Sequence, residues 1–185
     1  MSSPFLYFAG DRLSAAELAS ARLDGDVVEV GEAYMPADAV ETRDLRAGSL
    51  RRRMPEGLAL IRESAAWVHG AVPDAPERHT VQRRTVARVH HVVDARLLYR
   101  DQLLGAGDDE LIGGVWVTTP ARTLADLVRG LQRGEDLGAY VEAMLRWDAR
   151  VRDAAIEVLA RGSRPHKRPA VAFLRAWHGL PVTAG

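Results

Sequence analysis

The stretch Leu111 to Leu131, LIGGVWVTTPARTLADLVRGL, restricts the fold more than any other part of the chain. A short run from Glu110 to Ile112 meets Gly113-Gly114, and a second run, Val115 to Thr118, follows. Two such runs joined by a glycine pair predict a tight hairpin, because glycine supplies the positive φ that the turn needs. The period then changes. Thr119 can cap a helix with its hydroxyl, and Pro120 suits the first helical position, where a missing N–H costs nothing. Leu124, Leu127, Val128 and Leu131 recur at i, i+3, i+4 and i+7, one face of a helix, and Arg122 and Asp126 stand four apart and can pair along it. A hairpin running directly into a packed helix is therefore expected, with no chemically reactive group in it.

On the N-terminal side, Ser14 and Glu17 have capping-box spacing and Leu13 can staple onto Leu18, so a helix is predicted from there to about Asp24-Gly25. Val27 to Val30 and Ala33 to Met35 read as two strands joined at Gly31-Glu32 and ended by Pro36. A helix followed by a small hairpin is the back half of a winged helix. From Asp11 to Thr42 the carboxylates Asp11, Glu17, Asp24, Asp26, Glu29, Glu32, Asp38 and Glu41 face only Arg12 and Arg22. A net charge of minus six opposes phosphate, so this segment reads as a degenerate winged helix that packs on its neighbour.

The sign then reverses. Arg43, Arg46, Arg51, Arg52 and Arg53 lie in a connector with only Asp44 against them. Three readings stay open: a solvated linker, a phosphate-contacting arm, or a strap that docks on the acidic N-terminal segment. The last would explain a formal net charge of zero in the whole chain. Beyond it, Leu58 to His69 is expected as one helix ended by Gly70, with Trp67 as a core anchor. Thr80 to Arg83 and Val86 to Val93 are strand candidates, with Arg78, Arg83, Arg84, Arg88, Arg96 and Arg100 spread across the region. Asp108-Asp109-Glu110 reads as a short acidic loop. Three helices are expected at the C-terminus: Leu137 to Trp147, Val151 to Ala160 and Pro165 to Trp177. Arg164, His166, Lys167 and Arg168 crowd the start of the last one, where the helix dipole favours an anion. That cluster is either a solvated basic helix start or a seat for phosphate.

Three blocks carry a family resemblance: TTPARTLADLVRGL from Thr118, Ser64 to Gly70 (SAAWVHG), and Arg161 to Ala170 (RGSRPHKRPA). Together they resemble the AbiEi-type antitoxins of bacterial toxin–antitoxin systems, in particular their actinobacterial branch, over roughly residues 58 to 175. The resemblance implies an N-terminal winged helix-turn-helix, here shortened because only about ten residues precede the first helix. It also implies repression of the chain's own operon through promoter DNA, and neutralisation of a nucleotidyltransferase toxin by the C-terminal domain. The expected fold is mixed α+β: a reduced winged-helix segment over 1–45, then an AbiEi-like domain over 46–185 with a small, mostly antiparallel sheet, several helices and a helical C-terminal part. The electrostatic candidates for nucleic-acid phosphates are Arg51, Arg52, Arg53, Arg83, Arg84, Arg164, Lys167 and Arg168. A protein–protein interaction module that has lost DNA binding is the alternative.

Enzymatic and cofactor signatures are sparse. The chain has no cysteine, which excludes thiolate nucleophiles, disulfides and cysteine-ligated zinc. No GxSxG elbow or phosphate-binding GK[ST] occurs, and Gly105-Ala-Gly107 lacks the third glycine of a dinucleotide loop. His90-His91 would point to opposite faces of a strand, and His69, His79, His166 and His178 have no ligand spacing, so no metal and no cofactor are expected. Lys167, the only lysine, has no acidic partner at the spacing that a nuclease of the Vsr-like type would need. Gly48-Ser49 is followed by three arginines where a nucleotidyltransferase would carry paired carboxylates for magnesium, so the chain is not that toxin. The start of the chain lacks a basic region and a long apolar run, and no stretch reaches the length of a membrane span, which fits a cytoplasmic protein.

Overall fold

The computed structural model describes residues 4–86, 94–161 and 165–177. Within them the elements run α1 (Ala15–Leu23), β1 (Val27–Val30), β2 (Ala33–Pro36), α2 (Arg43–Ser49), β3 (Leu58–Leu60), α3 (Arg62–His69), β4 (His79–Arg83), β5 (Leu97–Arg100), β6 (Asp109–Ile112), β7 (Val115–Thr118), α4 (Pro120–Leu131), α5 (Gly138–Trp147), α6 (Arg150–Ala160) and α7 (Lys167–Ala176). The α+β reading holds.

The hairpin and helix around residue 120 form as the sequence dictates. β6 and β7 pair antiparallel from Ile112↔Val115 to Asp109↔Thr118, and Gly113 and Gly114 both take positive φ in the turn. Thr119 caps α4 by accepting from the Arg122 N–H at 3.3 Å, Pro120 opens the helix, and Arg122 Nε donates to Asp126 Oδ2 at 2.6 Å. Thr118 ties the strand to the helix, its hydroxyl lying 2.8 Å from that of Thr123. His69 Nε2–H donates to the Thr118 carbonyl at 2.7 Å, joining the end of α3 to the same junction. Two of the sequence blocks thus meet at one buried polar knot.

Gly113 has a second task. A Cβ there would run into the Asp44 carbonyl oxygen and stand 2.8 Å from the Gly48 nitrogen. The turn therefore seats directly on α2, which requires glycine for proximity as well as for φ. The connector, which the sequence marks only by its charge, contains the helix α2. Thr42 caps it through the Leu45 N–H at 3.3 Å, and Leu45, Ala47, Gly48 and Ser49 are buried. Arg46 reaches the last turn of α3, where its Nη1 donates to the Trp67 and Val72 carbonyls at 2.6 and 2.9 Å. The Trp67 carbonyl also accepts from the Gly70 N–H at 2.9 Å, so it is doubly engaged at the helix end.

The main sheet has the order β5-β4-β3-β7-β6. Its β3–β4 and β6–β7 pairings are antiparallel, but β3–β7 and β4–β5 are parallel, so the sheet is mixed rather than largely antiparallel. β3 lies at its centre and corrects the expectation of one helix over Leu58 to His69. A central strand covered on both faces reads as a continuous apolar run, and Leu58 to Ile61 is one, so periodicity does not distinguish it from a helix. The helix begins only at Arg62. β6 begins at Asp109, a residue expected in the acidic loop and one before the run expected from Glu110. β5 carries Leu97–Arg100, whereas residues 87–93 of the expected Val86–Val93 strand, with Arg88 and His90-His91, lie outside the described residues.

Two cores result. One packs Leu6, Phe8, Val30 and Met35 of the N-terminal segment with Leu45, Trp67, Val81 and Val117, so the N-terminal hairpin and the stretch before α1 share their core with the sheet. The other packs Leu124, Leu127 and Val128 of α4 with Val141, Met144, Leu159 and Leu174 of the C-terminal helices. α3 lies between the two, with Ala65, Trp67 and Val68 in the first core and Ala66 in the second. Trp67 is the anchor expected from its sequence block. The expected C-terminal helices are present, with boundaries moved by up to two residues.

Candidate functional site

The arginines of the connector and of β4 sit mostly on carboxylates of the same chain. Arg53 spans two elements: its Nη1 donates to both oxygens of Asp94 at 3.0 and 2.7 Å, and its Nη2 to Glu32 at 2.9 Å. Arg96 also reaches Glu32, at 3.0 Å. Arg52 pairs with Asp11 and lies over the Phe8 ring, 4.3 Å from its centroid. The segment is therefore a strap that docks on the acidic N-terminal segment, one of the three arrangements its sequence allows. Arg83 is held by Asp101 at 3.2 Å and by the Thr85 and Val86 carbonyls. Arg84 donates to Asp109 at 2.8 Å and stacks on Trp116 at 3.6 Å from the ring centroid. Arg51 is exposed and runs along Gly114. At the start of α7, Arg168 is exposed and Lys167 Nζ donates to the Ala160 carbonyl at 2.8 Å. Arg164 lies outside the described residues. The seven described candidates are distributed over three places in the fold: the strap, the β4 end and the α7 start.

A different set of arginines does converge. A cleft of about 330 Å³ opens where the sheet meets the helical half of the molecule. Ile61 and Arg62 line it from the start of α3, Gln82 from β4, and Arg100 and Gln102 from the end of β5. Asp126, Arg129 and Arg133 line it from α4 and the turn after it, and Pro165 and His166 from the start of α7. Asp126 is already committed, one oxygen to Arg122 Nε at 2.6 Å and the other to Arg129 Nη1 at 2.9 Å. Glu135 at the rim accepts from Arg62 Nη2 at 2.6 Å and Arg133 Nε at 3.0 Å, and lies 3.5 Å from Arg100.

Burial alone would raise the Glu135 carboxyl, but the hydrogen bonds from Arg133 and Arg62 outweigh it and hold the group down at about 2. Arg100 is shifted down, first by its own burial and then by the charges of Arg62 and Arg133. Both groups thus feel the charges of Arg62 and Arg133. The buried parts of the cleft carry unmet hydrogen-bonding capacity: Arg62 Nε and Gln82 Nε2 are buried donors without a partner.

Backbone strain is focused here as well. Among the described residues, the two non-glycine residues with positive φ are Arg62, at 54°, and His166, at 57°. Both stand at helix starts on the cleft, and neither α3 nor α7 has a side-chain cap at its N-terminus. Left-handed residues with bulky side chains cost free energy and persist where the surroundings demand them.

The sequence carried one signal for this site. Arg122, Asp126, Arg129 and Arg133 recur at i, i+4, i+7 and i+11, a charged stripe beside the apolar face of α4. Chemically the cleft offers donors and positive charge, which suits an anion. No group of three or more His, Asp or Glu residues that could hold a metal ion occurs among the described residues. No described helix is long and apolar enough to cross a membrane.

No curated protein matches the chain. Among solved structures, the RV2827C protein from Mycobacterium tuberculosis is similar at 20% identity, covering 90% of this chain and 71% of that one with a TM-score of 0.33. A family model described as the AbiEi antitoxin C-terminal domain matches residues 57–178, which takes in both cores' shared helix α3, the whole main sheet and the helical half. The chain belongs to the AbiEi antitoxin family.

Proposed function

We propose that this antitoxin is non-enzymatic, acts in the cytoplasm, neutralises a nucleotidyltransferase-type toxin through residues 46–185, and binds promoter DNA to regulate its own operon. The observation that carries the reading is the family match over residues 57–178, two thirds of the chain. The antitoxin half stands on that match alone. Growth rescue tests it: co-expression of this chain with a neighbouring nucleotidyltransferase gene should restore growth that the toxin alone arrests, and failure to rescue would refute it.

The DNA half rests on electrostatics. Of the candidate residues, Arg51, Arg52 and Arg168 are exposed; Arg52 is paired with Asp11, and Arg51 and Arg168 suit phosphate contacts. A titration against upstream and scrambled duplexes at two salt concentrations tests this part. Arg51→Ala with Arg168→Ala should weaken binding and flatten its salt dependence; unchanged binding would exclude them. The alternative reading, an interaction module that has lost DNA binding, has its own support in Arg52, Arg53 and Arg84, whose guanidinium groups are engaged by carboxylates of the same chain.

A further inference from the structure

We propose that the cleft between α3, β4, β5, α4 and α7 binds a small phosphorylated molecule, of pyrophosphate to mononucleotide size, through Arg62, Arg100, Arg129 and Gln82. The inference does not rest on the antitoxin reading. It starts from two buried donors. Arg62 is 3% exposed and Gln82 2% exposed, and Arg62 Nε and Gln82 Nε2 have no acceptor. Buried donors left unmade are expensive, and the native arrangement of two in one cleft points to an acceptor that enters from outside.

Charge selects an anion. Arg62, Arg100, Arg122, Arg129 and Arg133 face the carboxylates Glu63, Asp108, Asp126 and Glu135, and His166 adds a further donor at the mouth. The arginines exceed the carboxylates by one, and both Asp126 oxygens are engaged by Arg122 and Arg129. Two helix starts without side-chain caps, those of α3 and α7, border the same space. Their first-turn N–H groups and dipoles favour the same sign of ligand. The left-handed Arg62 and His166 stand at these two starts, so the strain lies where the ligand would be held.

Shape selects phosphate and small size. Donors reach the cleft from five elements and several directions, which matches the tetrahedrally disposed oxygens of a phosphoryl group better than the two coplanar oxygens of a carboxylate. A volume of about 330 Å³ is at the lower end of small-molecule sites. A duplex cannot enter it, and Arg62 and Gln82 are too deeply recessed to meet phosphates that track an outer surface.

Calorimetric titration of the full chain at constant ionic strength, with inorganic phosphate, pyrophosphate and adenosine 5′-monophosphate as separate probes, tests the proposal. Saturable one-to-one binding of at least one probe is expected at concentrations up to roughly 10 mM. Which probe binds tightest identifies how much of the ligand beyond one phosphoryl group the cleft reads. Arg100→Gln, at a partly exposed position, and Gln82→Met, of similar volume, should each weaken binding about tenfold while the thermal midpoint shows the chain still folded. Three results would overturn the proposal: no saturable binding of any probe, binding indifferent to both substitutions in folded protein, or displacement of the probe by duplex DNA whose own binding Arg100→Gln weakens equally.

Discussion

The strap and the cleft are both rich in arginine, and they use it in opposite ways. In the strap, Arg53 donates to Asp94 and Glu32 and Arg52 to Asp11, so the positive run is matched by the acidic N-terminal segment. In the cleft, the arginines outnumber their carboxylates, two buried donors lack acceptors, and the backbone is strained at both helix starts. A cluster of like charges in a sequence says little about binding until it is known which carboxylates the fold delivers to it. The strap is the denser cluster by sequence and the better neutralised in space.

The largest effect should come from the polar foundation of the cleft. Asp126 is buried and bridges Arg122 and Arg129. Asp126→Ala would leave two buried guanidinium groups short of an acceptor, at a cost of about 3 kcal/mol in a urea unfolding titration. A loss below ~1 kcal/mol would mean that Asp108 and the Pro165 carbonyl suffice for those arginines, and that the cleft has no real need of Asp126.

The next largest effect is on the seat of the strap. Gly113→Ala would put a methyl group against the Asp44 carbonyl and strain a φ of 55°. A loss of roughly 2–3 kcal/mol is expected, most of it from the displaced α2 rather than from the turn itself. Gly107→Ala is the matched control, since its φ of 78° is also left-handed but nothing lies within 4 Å of the added carbon. Equal losses in the two variants would show that α2 does not lean on the hairpin.

How much of this could be read from sequence follows from range. Thr119, Pro120 and the Arg122–Asp126 pair were readable because each acts within one turn of helix. The same holds for the Ser14–Glu17 capping box, which forms as its spacing predicts. β3 was not readable, because Leu58 to Leu60 is covered on both faces and shows no alternation. α2 was hidden for another reason. It is short, it contains Gly48 and Ser49, and what holds it is Gly113, more than sixty residues away in the chain. The cleft assembles residues from five elements, and only its α4 stripe has a local period.

Arg53→Ala is the direct test of a structural strap. The half-buried side chain makes three hydrogen bonds to carboxylates, so a loss of about 1 kcal/mol is expected after allowance for solvent, shrinking as salt is added. DNA binding and its salt slope should stay unchanged in the same protein. A fall in DNA affinity without a fall in stability would reverse the comparison and make the strap the reader.

A smaller effect should appear only as a slope with pH. Glu135 is depressed from an ordinary value of 4.5 to about 2. A carboxylate so depressed contributes stability that is full above the unfolded value and is lost as pH falls through the folded one. Wild-type stability should therefore drop between about pH 4.5 and pH 2 more steeply than that of Glu135→Gln, measured by urea midpoints across that range. Parallel curves would mean that Arg62 and Arg133 do not hold Glu135 in solution.

The smallest effect is the most telling. Arg100 is pushed down by burial and by the charges of Arg62 and Arg133, so the folded chain disfavours its protonated form. A base depressed in the folded state weakens the fold wherever it stays charged, which includes all of the neutral range. Arg100→Gln removes that repulsion together with a weak 3.5 Å contact to Glu135, and the two changes oppose each other. Stability should move by no more than about 0.5 kcal/mol in either direction. Removing a strap arginine, by contrast, should cost stability in every buffer of low salt. The pair of measurements separates arginines that hold the fold together from arginines that the fold holds in place against their mutual repulsion, and only the second kind leaves charge over for a ligand.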